Sequence, residues 1–307
     1  GRLVFGAMGS DTGGSVRLPA ACCGLVGMKP TQTRVSRFGL MGLSFSLDNA
    51  GPLTRTVRDN ARMLGPIAGA DPMDPTAASA PVDDYEAATQ NPDIKGLRIA
   101  VPKNYYYDSA TSDVRAMMTD SLKVFESLGA EIVEVAVTDH DEINTLATVL
   151  RGPEAATLHG AWLRDRPQDY GAQVRARLEP GLVMTGVHYV KALQLRAQIS
   201  KRFIDAVFAN ADVLHIPTVS MPIPSIEETD VKDSQGFPAL VESMTRCTRP
   251  FNYLGLPSLA VPAGFTDNGL PASFQLAGRP FSEAGLYRAA AAYEAVVKFS
   301  DHAPNLT

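Results

Sequence analysis

The sequence is poor in cysteine. Three occur among 307 residues, two of them adjacent (Cys22, Cys23) and the third distant (Cys247). That is too few for a disulfide framework and points to a reduced, cytoplasmic setting. Neither a Cys-x-x-Cys nor a His-Glu-x-x-His pair occurs, so spacing supports no zinc site. Basic residues are not in excess: 28 Lys and Arg against 33 Asp and Glu leave a net charge of −5. A nucleic-acid partner would need the opposite sign gathered in a patch. No apolar run approaches the roughly 20 residues of a membrane span. The longest, from Phe251 to Phe265, is broken by Gly255, Pro257, Pro262 and Gly264. No basic-then-apolar segment opens the chain, and no internal repeat is visible. A P-loop, a three-glycine dinucleotide fingerprint, a Gly-x-Ser-x-Gly elbow and a Ser-x-x-Lys motif are all missing. The five histidines (140, 159, 188, 215 and 302) are scattered and read as structural or surface residues.

What is present suits a large core, since 45 % of the residues are apolar. The opening Gly-Arg-Leu-Val-Phe-Gly-Ala-Met reads as a short strand. Thr56 to Ala70 reads as a helix, capped by Thr56 with Asp59 three residues on, and kinked or ended early by Pro66. Residues 71–95 read as a surface connection. A strand at Leu97–Val101, an amphipathic helix at Asp113–Leu128 and a strand at Glu131–Val137 form a strand–helix–strand unit. A long helix is expected at His188–Asn210, with Val190, Leu193, Ala197, Phe203 and Val207 inward. Strands follow at Asp212–Ile216, Ser258–Val261 and Phe274–Ala277. Ser282 is expected to cap a last helix to about Lys298. The class is α/β, in one large unit. Trp162, the only tryptophan, reads as a core residue on a helix.

One loop carries a chemical signal. In Asp11-Thr12-Gly13-Gly14-Ser15-Val16-Arg17, paired glycines allow a tight turn that aims successive N–H groups into one concavity. Such a concavity suits an oxyanion, and Ser15 would set a hydroxyl beside it, as acyl transfer requires. Asp11 would hold the loop by accepting backbone N–H bonds, and Arg17 would pair with a carboxylate beneath it. The same residues also read as an ordinary glycine turn with Ser15 capping the next segment.

The wider run Gly9-Ser-Asp-Thr-Gly-Gly-Ser-Val-Arg-Leu-Pro-Ala-Ala-Cys-Cys-Gly-Leu-Val-Gly-Met-Lys-Pro-Thr31 resembles the core of the amidase signature family. Further stretches are similar to that family in order: Arg34-Val-Ser-Arg-Phe-Gly39, Leu47-Asp-Asn-Ala-Gly-Pro-Leu-Thr-Arg-Thr-Val-Arg-Asp59 and Gly69-Ala-Asp-Pro-Met-Asp74. So are Thr248-Arg-Pro-Phe-Asn-Tyr-Leu-Gly-Leu-Pro-Ser258, Gly269-Leu-Pro-Ala-Ser-Phe-Gln-Leu-Ala-Gly-Arg-Pro-Phe281 and the closing helix.

The resemblance implies a mixed β-sheet wrapped by helices on both faces, and a serine hydrolase of linear carboxamides with a Ser–cis-Ser–Lys triad. Ser15 would be the acylated nucleophile, and the backbone N–H groups of Thr12, Gly13, Gly14 and Ser15 the oxyanion hole. A neutral lysine would be the base, its proton traffic relayed by the bridging serine. No metal or organic cofactor is implied. In the family both the lysine and the bridging serine precede the nucleophile. The 14 residues before Ser15 match neither motif, and Lys29, in the Lys-Pro match, reads as structural. Residues 1–307 are therefore expected to be the C-terminal portion of a single amidase signature domain, with the triad partners on an upstream segment or a second chain. An inactive scaffold and a chemistry-free anion-binding module are the competing classes.

The expected partner is a small-molecule amide, with a homo-oligomer compatible and no nucleic acid or membrane. The glutaminase subunit of tRNA-dependent amidotransferases is the alternative within the family. Its Asn-Leu-Ala-Arg-Tyr-Asp-Gly-Val-Arg-like middle segment is not found here, which favours a stand-alone amidase. Met184, Thr218 and Cys247 are named as pocket candidates, with ordinary packing the competing reading.

Overall fold

The computed structural model describes residues 2–230 and 237–304. Strand β1 (Gly6–Asp11) runs into the glycine loop and helix α1 (Arg17–Cys22). Strands β2 (Val26–Lys29) and β3 (Asn49–Thr54) flank a long irregular segment, and α2 (Val57–Leu64) follows. Next come β4 (Arg98–Pro102), α3 (Ser112–Ser127) and β5 (Glu131–Val135), then three helices, α4 (His140–Asp165), α5 (Ala172–Leu178) and α6 (Gly186–Phe208). Strand β6 (Val213–Pro217) precedes α7 (Ile226–Thr229), α8 (Phe237–Thr245) and α9 (Arg249–Leu254). Strands β7 (Ser258–Phe265) and β8 (Pro271–Ala277) and helix α10 (Glu283–Val297) complete the order.

The strands form one eight-stranded sheet in the order β1-β3-β2-β7-β8-β6-β4-β5. β4 pairs in parallel with β5 and β6, while every other neighbouring pair is antiparallel. The sheet is therefore mixed. Side-chain alternation divides the core. Leu259, Val261, Phe274 and Leu276 face a layer built by α2, α3 and α10. Leu214, Ile216 and Ala277 face the opposite layer, built by α4, α6 and α9. Both faces carry helices, as the resemblance implies.

Local chemistry explains most boundaries. The Thr56 hydroxyl accepts the Asp59 N–H at 3.1 Å and so caps α2. That helix passes into a 3₁₀ turn at Gly65–Ile67, where Pro66 cannot supply an α-helical donor. The connection over 71–95 is largely irregular, but Tyr85 and Ile94 anchor it in the core.

Several expectations are corrected. The first strand begins at Gly6, because Gly6 pairs with Thr54 and β3 ends at that residue. Leu3 and Phe5, placed in that strand by pattern, are 92 % and 85 % exposed. Ser282 does not cap α10: its backbone is not extended, and its hydroxyl donates to the Arg279 carbonyl at 2.7 Å. In α6, Phe203 and Val207 are buried as expected, but Val190 and Leu193 are half-exposed, and Ala192 and Ile199 take the inner positions. Trp162 is 43 % exposed, with the Arg166 guanidinium over its ring. The 26-residue α4 escapes pattern reading because Gly152 and Pro153 sit inside it. The Gly152 carbonyl marks a close approach. A Cβ on Gly181, in the turn after α5, would lie 2.0 Å from the Gly152 carbonyl oxygen.

Candidate active site

The glycine loop hangs from the end of β1. Asp11 is fully buried and turns back into the loop. Its carboxylate accepts the N–H of Gly14 at 2.8 Å, of Val16 at 3.1 Å and of Arg17 at 3.4 Å. Gly14 has φ +135°, a conformation an L side chain rarely adopts, and a Cβ there would lie 2.3 Å from Thr248 Oγ1. Thr248 in turn donates its hydroxyl to the Gly13 carbonyl at 2.7 Å. These bonds tie the loop down from both sides and leave Ser15 exposed at its tip. The Gly14 N–H is taken by Asp11, whereas no hydrogen bond among the described residues engages the N–H of Thr12, Gly13 or Ser15.

Arg17 organises what lies beneath. Its guanidinium is fully buried. Nε reaches Asp11 Oδ2 at 3.1 Å, and Nη2 reaches Asp11 Oδ1 at 3.0 Å and Asn252 Oδ1 at 2.7 Å. Nη1 donates to the Thr248 carbonyl at 2.9 Å and to Gln275 Oε1 at 3.0 Å. Burial by itself would raise the Asp11 pKa. The Arg17 charge and the hydrogen bonds from Arg17 and Asn252 outweigh it and hold the carboxyl at about 2. Asp11 is thus a fixed anion whose purpose is geometric.

Lys29, on β2, is also fully buried. Its ammonium donates to the Pro30 carbonyl at 2.7 Å. Burial first and the Arg17 charge second pull its pKa down to about 7, against the opposing pull of Asp11 and Glu283.

A second loop, 43–48, braces the first. Thr12 Oγ1 donates to Asp48 Oδ1 at 2.5 Å, and Asp48 Oδ2 accepts the N–H of Leu43 at 2.8 Å and of Ser44 at 2.9 Å. The Ser44 hydroxyl donates to Glu154 of α4, which is buried and also accepts the Ser46 N–H at 3.2 Å and the Tyr189 hydroxyl at 3.0 Å. Arg196 of α6 closes the arrangement by donating to the Ser46 carbonyl at 2.9 Å and the Asn252 carbonyl at 3.0 Å. Nothing in the spacing of Ser44, Asp48, Glu154 and Arg196 announces this, because their partners are up to 150 residues apart.

Positive charge collects at the same end of the fold. A Cβ on Gly13 would lie 3.8 Å from Arg249 Cγ. Arg249 pairs with Glu242. Arg151 of α4 and Arg177 of α5 feel the Arg249 charge, and among the described residues neither has a carboxylate partner. Burial first, then the neighbouring arginines, lowers the Arg151 pKa to about 10 and moves Arg177 in the same direction.

The pocket candidates fare differently. Met184 lines a cavity of about 270 Å³ beside Glu154. Thr218 is fully buried and bonds Ser273 Oγ at 3.0 Å. Cys247 is buried too, and burial pushes its thiol up to about 12. Among the described residues no group of three or more His, Cys, Asp or Glu could hold a metal ion, and no helix is long and apolar enough to cross a membrane.

Comparison with known proteins agrees with this architecture. The Amidase family profile matches residues 1–287. An amidase of Pseudomonas putida is 40 % identical over 99 % of the chain, which covers 65 % of that protein. The A subunit of the glutamyl-tRNA(Gln) amidotransferase of Myxococcus xanthus is 39 % identical over 95 % of the chain, which covers 64 % of that protein. The crystal structure of the corresponding protein from Thermotoga maritima superposes with a TM-score of 0.79 at 34 % identity, over 95 % of this chain and 62 % of that one. The chain thus spans just under two thirds of the length of these relatives. With the profile match and these identities over nearly every residue, the chain belongs to the amidase family.

Proposed function

We propose that this chain carries the nucleophile of a linear-amide hydrolase. The observation that carries the reading is Ser15, exposed at the tip of a loop whose backbone is held by Asp11, Arg17 and Thr248. Ser15 Oγ attacks the amide carbonyl. The developing oxyanion is met by N–H groups of the Thr12–Gly13–Gly14–Ser15 backbone, of which Thr12, Gly13 and Ser15 have theirs unengaged. The loop needs no rearrangement to present these donors, which is the form of stabilisation most effective in acyl transfer. Collapse of the tetrahedral intermediate expels the amine and leaves an acyl-serine, which water hydrolyses. The family resemblance implies a lysine base and a bridging serine to carry the proton, roles to which this reading assigns no residue of the chain.

The test is covalent. A fluorophosphonate added to the protein expressed from its intact gene is expected to modify Ser15, identified by peptide mass spectrometry, and to leave Ser15→Ala unmodified. An amide-hydrolysing protein that labels elsewhere, or not at all, refutes the assignment.

The three arginines favour a second reading, the glutaminase component of an amidotransferase. Among the described residues Arg151 and Arg177 have no acidic partner, an arrangement that suits an amide bearing a carboxylate. The M. xanthus relative belongs to an amidotransferase of this kind. Strict preference for glutamine and a co-purifying partner chain would establish that reading over the stand-alone amidase.

A further inference from the structure

A cavity of about 650 Å³ lies at the end of α1 away from Ser15. Arg17, beneath Ser15, opens that helix, while Cys22 and Cys23 close it and line the cavity. The two helix ends are roughly 8 Å apart along the axis. Leu25 supplies apolar wall, with Phe265 and Leu270 of the β7–β8 hairpin and Phe299 from the turn after α10. Phe265 and Phe299 stack at 4.9 Å. Gly24 lets the chain turn tightly below them: its φ is +63°, and a Cβ there would lie 2.8 Å from Phe299 Cε1. Arg2 straps one rim, donating from Nη2 to the Ser300 carbonyl at 2.8 Å and the His302 carbonyl at 3.0 Å.

The charge of the lining is one-sided. Arg2 and Arg55 line the cavity, and no Asp or Glu does. In the whole chain, by contrast, acidic residues outnumber basic ones by 33 to 28. Arg55 stands apart from the other arginines of the interior. Its Nε is buried without a hydrogen-bond partner, and no ion pair or hydrogen bond among the described residues engages the rest of its guanidinium. A buried donor left unpaired carries a desolvation cost that an incoming anion would relieve. A mostly apolar cavity with one such polar anchor has the ordinary form of a small-molecule site.

We propose that this cavity binds a small amphiphilic monocarboxylate, its alkyl chain against Leu25, Phe265, Leu270 and Phe299 and its carboxylate on Arg55. A dry cavity of about 150 Å³ already accepts a benzene ring. The space here therefore holds a chain of about eight carbons with its head group. The proposal goes beyond the amidase reading and does not depend on it, because α1 separates the cavity from the glycine loop.

Three ligands of one chain length separate charge from hydrophobicity. Octanoate, octan-1-ol and octylammonium are titrated by calorimetry into the protein expressed from its intact gene. Octanoate is expected to bind at least about tenfold more tightly than octan-1-ol, as one charge-assisted hydrogen bond commonly supplies. Octylammonium should bind most weakly of the three. Arg55→Gln should melt like the wild type, since no described group relies on that guanidinium, and should lose the tenfold advantage while leaving octan-1-ol unchanged. Leu270→Glu, on the half-exposed hairpin, sets a negative charge at the wall and should reverse the order of octanoate and octylammonium. It serves as the second variant should the first fold poorly. Cys23 is exposed and supplies a local reporter. Burial pushes the Cys22 thiol up to about 11, so iodoacetamide reads mainly Cys23, and octanoate should slow that alkylation in a peptide map. Equal affinities for octanoate and octan-1-ol, or an advantage that survives both variants, overturn the inference. Octanoate that shields Ser15 from a fluorophosphonate but leaves Cys23 alkylation unchanged is bound in the candidate active site, and overturns it too.

Discussion

Arg17→Met removes the group on which the candidate site is hung, and its cost can be worked from the contacts. The wild-type guanidinium pairs with Asp11 through Nε and Nη2, and both side chains are fully buried. Breaking such a pair by deleting one partner strands a buried charge and costs about 3–5 kcal/mol. Asn252 Oδ1 also loses its donor, whereas Gln275 Oε1 keeps the Ser258 hydroxyl at 2.6 Å and the Thr248 carbonyl keeps the Phe251 N–H at 3.3 Å. That orphaned acceptor adds about 1 kcal/mol. The sum, about 4–6 kcal/mol, rivals the whole stability of a typical domain at about 5–15 kcal/mol. Urea titration followed by circular dichroism measures it. Arg17→Lys keeps the charge but loses the planar fork, and an intermediate loss is expected. The pH dependence gives an independent check. The folded Asp11 pKa is about 2, below the ordinary carboxyl value of 3.8. Its contribution is therefore complete above about pH 4 and lost as pH falls towards 2, amounting to about 2–3 kcal/mol. Without Arg17, burial acts on Asp11 with less opposition, so acid unfolding should begin at higher pH. A loss below about 1 kcal/mol, or an unmoved acid transition, would refute the reasoning.

Two further perturbations probe neighbouring features. Gly14→Ala asks a Cβ to occupy φ +135° and to sit 2.3 Å from Thr248 Oγ1; a loss of about 1–3 kcal/mol and at least tenfold slower Ser15 labelling are expected, and unchanged labelling would show that the loop does not depend on this conformation. Lys29 has a folded pKa of about 7, below its ordinary 10.5. The unfolded chain then binds the proton more tightly, so stability should rise from pH 7 towards 10 by about 1.4 kcal/mol per unit from this group. Lys29→Met should remove that slope, and urea midpoints at pH 7, 8 and 9 that run parallel in the two proteins would contradict it.

How much of this is legible depends on how local each signal is. The α2 cap is written in Thr56 and Asp59, three residues apart, and both ends of the β4–α3–β5 unit follow from periodicity. The glycine loop stands out because Gly13, Gly14 and Ser15 adjoin. By contrast, the extent of α4 is invisible to pattern beyond the helical stretch around Trp162. Its interior Gly152 and Pro153 argue against a helix locally, and the Gly152 carbonyl instead dictates a glycine at position 181, far along the chain. The start of the opening strand escapes for a related reason, since a strand starts where its partner does and β3 stops opposite Gly6.

By itself the sequence determined the α/β class, the family resemblance and the loop with Ser15 at its tip, because each rests on residues near one another in the chain. Tertiary structure alone decided what surrounds that loop. Thr248, Asn252 and Gln275 reach Arg17 across more than 230 residues, and Glu154 reaches Ser44 across 110. A buried polar group must find partners wherever the fold brings them, and pattern along the chain carries no record of which distant side chain that will be.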